Sequence, residues 1–265
     1  MKRQLPLCAM QNQSFYEWRK YLINLLHEII ERENMHISIY WLATSLFDRF
    51  ALKYEMKKED IQFIGITILM IASKVEDIYT MSYSYMSRLV SKTYSTSDFI
   101  HMEMIISKTL LFQLVDINTA YYCLKKYISL CATMEEESKI HMAFFFAESN
   151  LKEEISAYCS PSLFAAAAIF LALMDQSSYQ IKYIWTEEHV RVTSFTKENV
   201  FPIAHILLKN LKKTNFYEGN ALHSVEKKYR RPEFMYVSTL PLPDLEEIVS
   251  SLDITVGCPK CFHFL

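Results

Sequence analysis

Glycine occurs only three times in this 265-residue chain, at Gly65, Gly219 and Gly257, and that scarcity limits what the chain can fold into. Tight hairpin turns and phosphate-cradling loops depend on glycine, where φ must be positive or backbone must approach a ligand closely. Three scattered glycines argue against an all-β fold, and neither the GxGxxG nor the P-loop spacing is present. What remains is a set of helices joined by short polar turns. With 51% of residues apolar, the chain can bury the core of one large domain or two compact ones.

Apolar spacing places the helices. Residues 15–33 (FYEWRKYLINLLHEIIERE) set Trp18, Leu22, Leu25 and Ile29 at helical intervals. A second helix is predicted from Ser38, as its N-cap, to Lys53, with Leu42, Leu46 and Phe50 on one side. The third, Lys57 to Lys74, is nearly all apolar at its centre (IQFIGITILMIAS). It lacks the polar face of a surface helix and belongs in the middle of a bundle. Helices at 82–91 and 95–111 complete a group of five. The rhythm repeats at 119–131, 135–150, 161–174, 186–192 and 196–213, with PSLFAAAAIFLALM as the second apolar centre. Pro161 suits a first helical turn, and the alanines let neighbouring helices approach closely. The predicted fold class is all-α, two tandem five-helix bundles. A short helix near 222–229 and an irregular tail with Pro241 and Pro243 follow.

The formal net charge of −2 does not suit a chain built to neutralise a phosphate backbone. The run Glu226-Lys227-Lys228-Tyr229-Arg230-Arg231 is locally basic and reads as a solvated helix end. Of six cysteines, Cys8, Cys123, Cys131 and Cys159 lie among apolar neighbours, as reduced thiols inside a cell do. Cys258 and Cys261 form a lone CxxC with no second pair nearby, so no metal is expected. Met1 to Met10 lacks the apolar core of a signal peptide, and the 14 residues Pro161–Met174 are too few to cross a bilayer. The expectation is a soluble intracellular protein without cofactor, nucleic-acid partner or membrane association. No HExxH, GxSxG or kinase signature marks it as an enzyme.

Four segments carry a more specific signal. WRKYLINLLHEI resembles the cyclin-box opening MRAILVDWLVEV of the A/B (mitotic) cyclins, with Arg19 at the signature arginine. SLFDRF is similar to NYIDRF and sets Asp48 at the signature aspartate. QFIGITILMIASKVEDIY resembles the family's QLVG and ASKFEEIY, supplying Gln62, Gly65, Lys74, Glu76, Asp77 and Ile78. HMEMIISKTLLFQL resembles RMEHLVLKVLTFDL, with Glu103 and Phe112 in register, and HSVEKKYRRPEFMYVSTL resembles the closing segment of the same class. The likeness covers about residues 15–240 and keeps its spacing across four helices. It implies a short leader at 1–14, a first cyclin box at 15–115, a second at 116–215 and a tail at 216–265.

The resemblance implies a regulatory subunit of a cyclin-dependent protein kinase, in the nucleus and cytoplasm, acting at G2/M. A cyclin-fold transcription factor of the TFIIB kind is a rival, but the chain opens without a cysteine pair and is slightly acidic. A helical scaffold that activates no kinase is the other. The implied kinase interface is Lys74, Glu103 and Phe112 with Val75, Glu76, Ile78 and Leu114. From the residues alone, Lys74 is a lysine whose stem lies along the core, Glu103 a surface carboxylate and Phe112 a core residue. The resemblance also implies a patch for substrate or inhibitor docking peptides at Trp18, Tyr21, Leu22, Leu25, Glu28 and Gln62. Trp18, Tyr21 and Leu25 replace the family's methionine, isoleucine and tryptophan there, which reshapes the groove for an Arg-x-Leu peptide. Arg19 and Asp48 are implied to pair inside the box, a structural role. The 17 residues before Trp18 hold no RxxL destruction-box pattern, so degradation signals are expected elsewhere.

Overall fold

The computed structural model describes residues 13–77, 81–90, 94–116, 118–174, 184–213 and 224–243. Ile78, Cys8, Gly219, Gly257 and the Cys258–Cys261 tail lie outside the described residues. Among those described, regular structure is helical only, and the chain divides into two compact units. The first holds the chain to Thr119 plus Leu151–Ala157; the second holds Ala120–Asn150 and the chain from Tyr158 onward.

Five helices build most of the first unit: α1 (Gln13–Arg32), α2 (Ile37–Ala51), α3 (Ile61–Glu76), α4 (Tyr83–Leu89) and α5 (Thr96–Thr109). Helix α3 is buried continuously from Phe63 to Ser73 and packs against the other four. A fully buried Leu, Ile or Phe contributes roughly 1.5–3 kcal/mol, so this helix organises the unit. Close packing of α1 requires Gly65: a Cβ there would stand 2.9 Å from Leu22 Cγ and nearer still to its methyls.

The buried stripe of α1 runs through Phe15, Tyr16, Arg19, Leu22, Ile23, Leu26, Ile29 and Ile30. Trp18 and Leu25 sit off that stripe and are half-buried. The N-cap of helix α2 lies two residues earlier than its sequence suggests. His36 is its N-cap, with Nδ1 accepting the Ser38 N–H at 3.3 Å, while Ser38 is buried inside the helix. The third helix is likewise split, because Lys58–Asp60 forms a 3₁₀ turn ahead of α3. Ser95 and Asp98 close a reciprocal capping box at the start of α5.

The second unit repeats the plan with α6 (Ala120–Leu130), α7 (Glu137–Asn150), α9 (Pro161–Leu173), α10 (Glu187–Thr193) and α11 (Lys197–Lys213). Between α7 and α9 in sequence lies α8 (Glu154–Tyr158), a short helix that belongs as far as Ala157 to the first unit and that apolar spacing does not reveal. Helix α9 is buried from Phe164 to Ala172 and touches α6, α7, α10 and α11. Ser160 caps it by accepting the Leu163 N–H at 3.3 Å, and Pro161 takes the first turn.

The basic run is solvated only in part: Lys227, Arg230 and Arg231 are exposed, but α12 (Ser224–Tyr229) packs on α7 with Glu226, Lys228 and Tyr229 buried. Lys228 Nζ lies 2.9 Å from Glu148 Oε2 and 3.2 Å from Oε1, and Arg230 pairs with Glu226 at 3.1 Å. The rings of Tyr229 and Phe234 lie 5.0 and 5.5 Å from the same ammonium. Two opposite charges brought together, with aromatic faces around the cation, make burial of a lysine tolerable.

Candidate functional site

In the first unit, Arg19 is fully buried and its five donors are engaged as a fork. Nε and Nη2 donate to the two Asp48 oxygens at 2.7 and 2.8 Å. Nη1 donates to the carbonyls of Leu151, Lys152 and Glu153 at 3.0, 3.1 and 3.4 Å, and Nη2 also donates to Ser156 Oγ at 2.9 Å. Burial alone would lower the Arg19 pKa, but the charge and hydrogen bonds of Asp48 outweigh it and the net direction is up. The guanidinium thus joins α1 to α2 and holds the turn at 151–156. Lys20 adds a surface pair to Glu153 at 2.8 Å. Arg19 and Asp48 themselves are buried, so their cluster is a framework rather than a recognition surface.

Lys74, in the last turn of α3, and Glu103, midway along α5, form one ion pair. The ammonium reaches both carboxylate oxygens, at 2.7 and 2.8 Å. Tyr83, from α4, completes the group: its ring lies 5.7 Å from Lys74 Nζ, and its hydroxyl donates to Glu103 Oε2 at 3.3 Å. Nothing local in the sequence pairs Lys74 with Glu103 or marks Tyr83 as their neighbour. A tyrosine in a serine- and tyrosine-rich stretch carries no local signal of such a role.

Helix α5 ends abruptly. Leu111 and Phe112 both take left-handed backbone, with φ of 53° and 56°, a conformation usually given to glycine. The amide of Phe112 still closes on Ser107 O at 2.8 Å, as in a helix C-terminal cap. The side chains are therefore turned into solvent, with Leu111 70% and Phe112 64% exposed, and Val115 beside them in sequence is 66% exposed. Phe112 is not a core phenylalanine. Ile100 and Met104 on α5 are also exposed. Val75, Glu76 and Leu114 are half-buried.

The docking-patch residues divide. Tyr21 and Glu28 are exposed, and Trp18 and Leu25 are half-buried, with Lys58 Nζ 5.7 Å from the Trp18 ring. Gln62 is half-buried and donates to Leu89 O at 2.9 Å. Leu22 is fully buried against Gly65, so it is a core residue and not part of the exposed patch.

In the second unit, His189 is buried with a defined tautomer. Nδ1 accepts the Thr186 N–H at 3.1 Å, so the proton sits on Nε2, which lies 2.8 Å from Thr133 Oγ1 and donates to it. Burial lowers its pKa, against a smaller opposing effect of Glu188. Burial also pushes the Cys159 thiol up to about 12, which makes it inert as a nucleophile. Cys123, Cys131 and Cys159 form no disulfide, and among the described residues no group of His, Cys, Asp and Glu could hold a metal. No described helix is long and apolar enough to cross a membrane.

Comparison with known proteins defines the class. The cyclin N-terminal domain matches residues 2–115 and the cyclin C-terminal domain matches residues 118–243. The chain belongs to the cyclin family. It is 28% identical over 231 residues to cyclin-A2-1 of Arabidopsis thaliana, covering 85% of this chain and 50% of that one. To the G2/mitotic-specific cyclin-B of Patella vulgata it is 25% identical over 223 residues, covering 84% and 52%. The chain spans about half the length of these curated relatives. Among solved structures, a viral cyclin from herpesvirus saimiri shares the fold with a TM-score of 0.61. The two are 20% identical, with 75% of this chain and 86% of that chain covered.

Proposed function

We propose that this chain is a non-catalytic regulatory subunit that binds and activates a cyclin-dependent Ser/Thr protein kinase, controlling passage from G2 into mitosis. The observation that carries the reading is the pair of apolar side chains, Leu111 and Phe112, held outward by left-handed backbone in the unit that carries the Lys74–Glu103 pair. A chain folded for itself gains nothing by exposing them. Large apolar side chains ringed by polar groups are what a partner buries at the centre of an interface.

The mechanism follows from kinase chemistry. Phosphoryl transfer needs a strand lysine paired with a glutamate on a mobile helix, so that the nucleotide phosphates are held correctly. A partner that binds only the helix-in state shifts that equilibrium by its differential affinity. The matching cyclins named as G2/mitotic-specific support the mitotic assignment. The exposed residues Tyr21 and Glu28, with Trp18, Leu25 and Gln62, are the proposed seat of substrate or inhibitor docking peptides. Activity in the nucleus and cytoplasm belongs to the same reading.

Affinity capture of the tagged chain from its own cells, followed by mass spectrometry, tests the proposal. A cyclin-dependent kinase catalytic subunit recovered with the wild type, and lost with Phe112→Asp, supports it. Recovery of no such kinase contradicts it.

A further inference from the structure

We infer that Tyr83 is a positioning residue for kinase binding, a clamp that fixes the Lys74–Glu103 pair in the arrangement the partner meets. The inference rests on the proposed kinase-binding role of that pair. A lysine ammonium sits on a flexible four-carbon stem, and a surface ion pair alone gives it little reason to keep one geometry. Lys74 and Glu103 keep about 37% and 24% of their side-chain surface in solvent, so their mutual attraction is screened.

Tyr83 supplies what the pair lacks. Its ring lies 5.7 Å from the Lys74 ammonium, and its hydroxyl donates to Glu103 Oε2 at 3.3 Å. One rigid side chain thus touches both charges. The ring is itself anchored at 6.4 Å from the fully buried ring of Phe99. Its backbone is set by Ser82, which caps α4 by accepting the Tyr85 N–H at 3.3 Å. A clamp built from the core outward lowers the ordering cost that a partner would otherwise bear on binding.

Two measurements on the full chain test this. Lys74 acetylation by acetic anhydride, followed by mass spectrometry, is expected to speed up about 3- to 10-fold in Tyr83→Leu while other lysines keep their rates. Affinity for the captured kinase is expected to fall about 10-fold in Tyr83→Leu and about 3-fold in Tyr83→Phe, which keeps the ring and loses the hydroxyl. In a Lys74→Met, Glu103→Gln background, Tyr83→Leu is expected to weaken binding no further, because the clamp then has nothing to hold. A wild type that binds while Tyr83→Leu binds equally well, or an equal Tyr83→Leu loss in both backgrounds, overturns the inference alone. A wild type that binds no cyclin-dependent kinase overturns the proposed function and this inference with it.

Discussion

Replacing Arg19 with alanine probes the framework most severely. The guanidinium donates to both Asp48 oxygens, three carbonyls and the Ser156 hydroxyl, all at 2.7–3.4 Å. Truncation leaves a carboxylate that is only 7% exposed without its cation, and removes the Nη1 donor from Leu151, Lys152 and Glu153. Breaking a buried pair from one side costs about 3–5 kcal/mol. Against a total stability of about 5–15 kcal/mol, that is a large share. The melting temperature is expected to fall by roughly 6–20 °C. Urea unfolding followed by circular dichroism at 222 nm reads the same loss as a lower midpoint. Removing both charges gives a sharper result. Arg19→Met with Asp48→Leu would restore stability if the pair acted alone. Ser156 still donates to the Leu151 and Glu153 carbonyls at 2.7 and 3.0 Å, but all three carbonyls lose the charged Nη1 donor, so about 1 kcal/mol or more is expected to stay lost. Arg19→Ala within about 1 kcal/mol of wild type, or full recovery in the double variant, would refute the reasoning.

The second unit gives two further tests. Lys228→Met takes the ammonium away from Glu148, which is 1% exposed, and is expected to cost about 3–5 kcal/mol by thermal unfolding. Adding Glu148→Leu is expected to recover most of that loss, and no recovery would count against a simple buried pair. His189 gives a pH dependence with a definite sign. Its folded pKa lies below the ordinary 6.5, because burial disfavours the charged ring. Its stabilisation is therefore complete above pH 6.5 and drains away as pH falls below that value toward the folded pKa. Melting temperature measured from pH 7.5 to about 5 is expected to fall less steeply in His189→Gln, which keeps an acceptor for the Thr186 N–H without titrating. Parallel slopes would contradict it.

Much of this architecture is legible in sequence because α3 and α9 are apolar all round, and only a helix at the centre of a bundle can be so. Legibility stops where a partner is distant along the chain. The run at 226–231 looks solvated because charge usually is, and nothing near Lys228 announces Glu148, 80 residues away. Lys74 and Glu103 stand 29 apart, so their pairing depends on how α3 meets α5. Leu22 follows the same logic in reverse. Helical spacing puts it among the apolar residues of α1, but only the close approach at Gly65 decides that it points inward. The outward turn of Leu111 and Phe112 was also hidden, because neither residue type advertises left-handed backbone.

The central claim is activation of a kinase through one surface of the first unit. Its most direct measurement adds purified chain to the captured kinase's isolated catalytic subunit and follows phosphoryl transfer to a peptide. The account predicts strong stimulation by the wild type. It predicts none by Lys74→Glu combined with Glu103→Lys, which reverses the charges the kinase meets while leaving the chain able to pair them and its melting curve nearly unchanged. Absence of stimulation by the wild type, or equal stimulation by a folded charge-reversed variant, would contradict it.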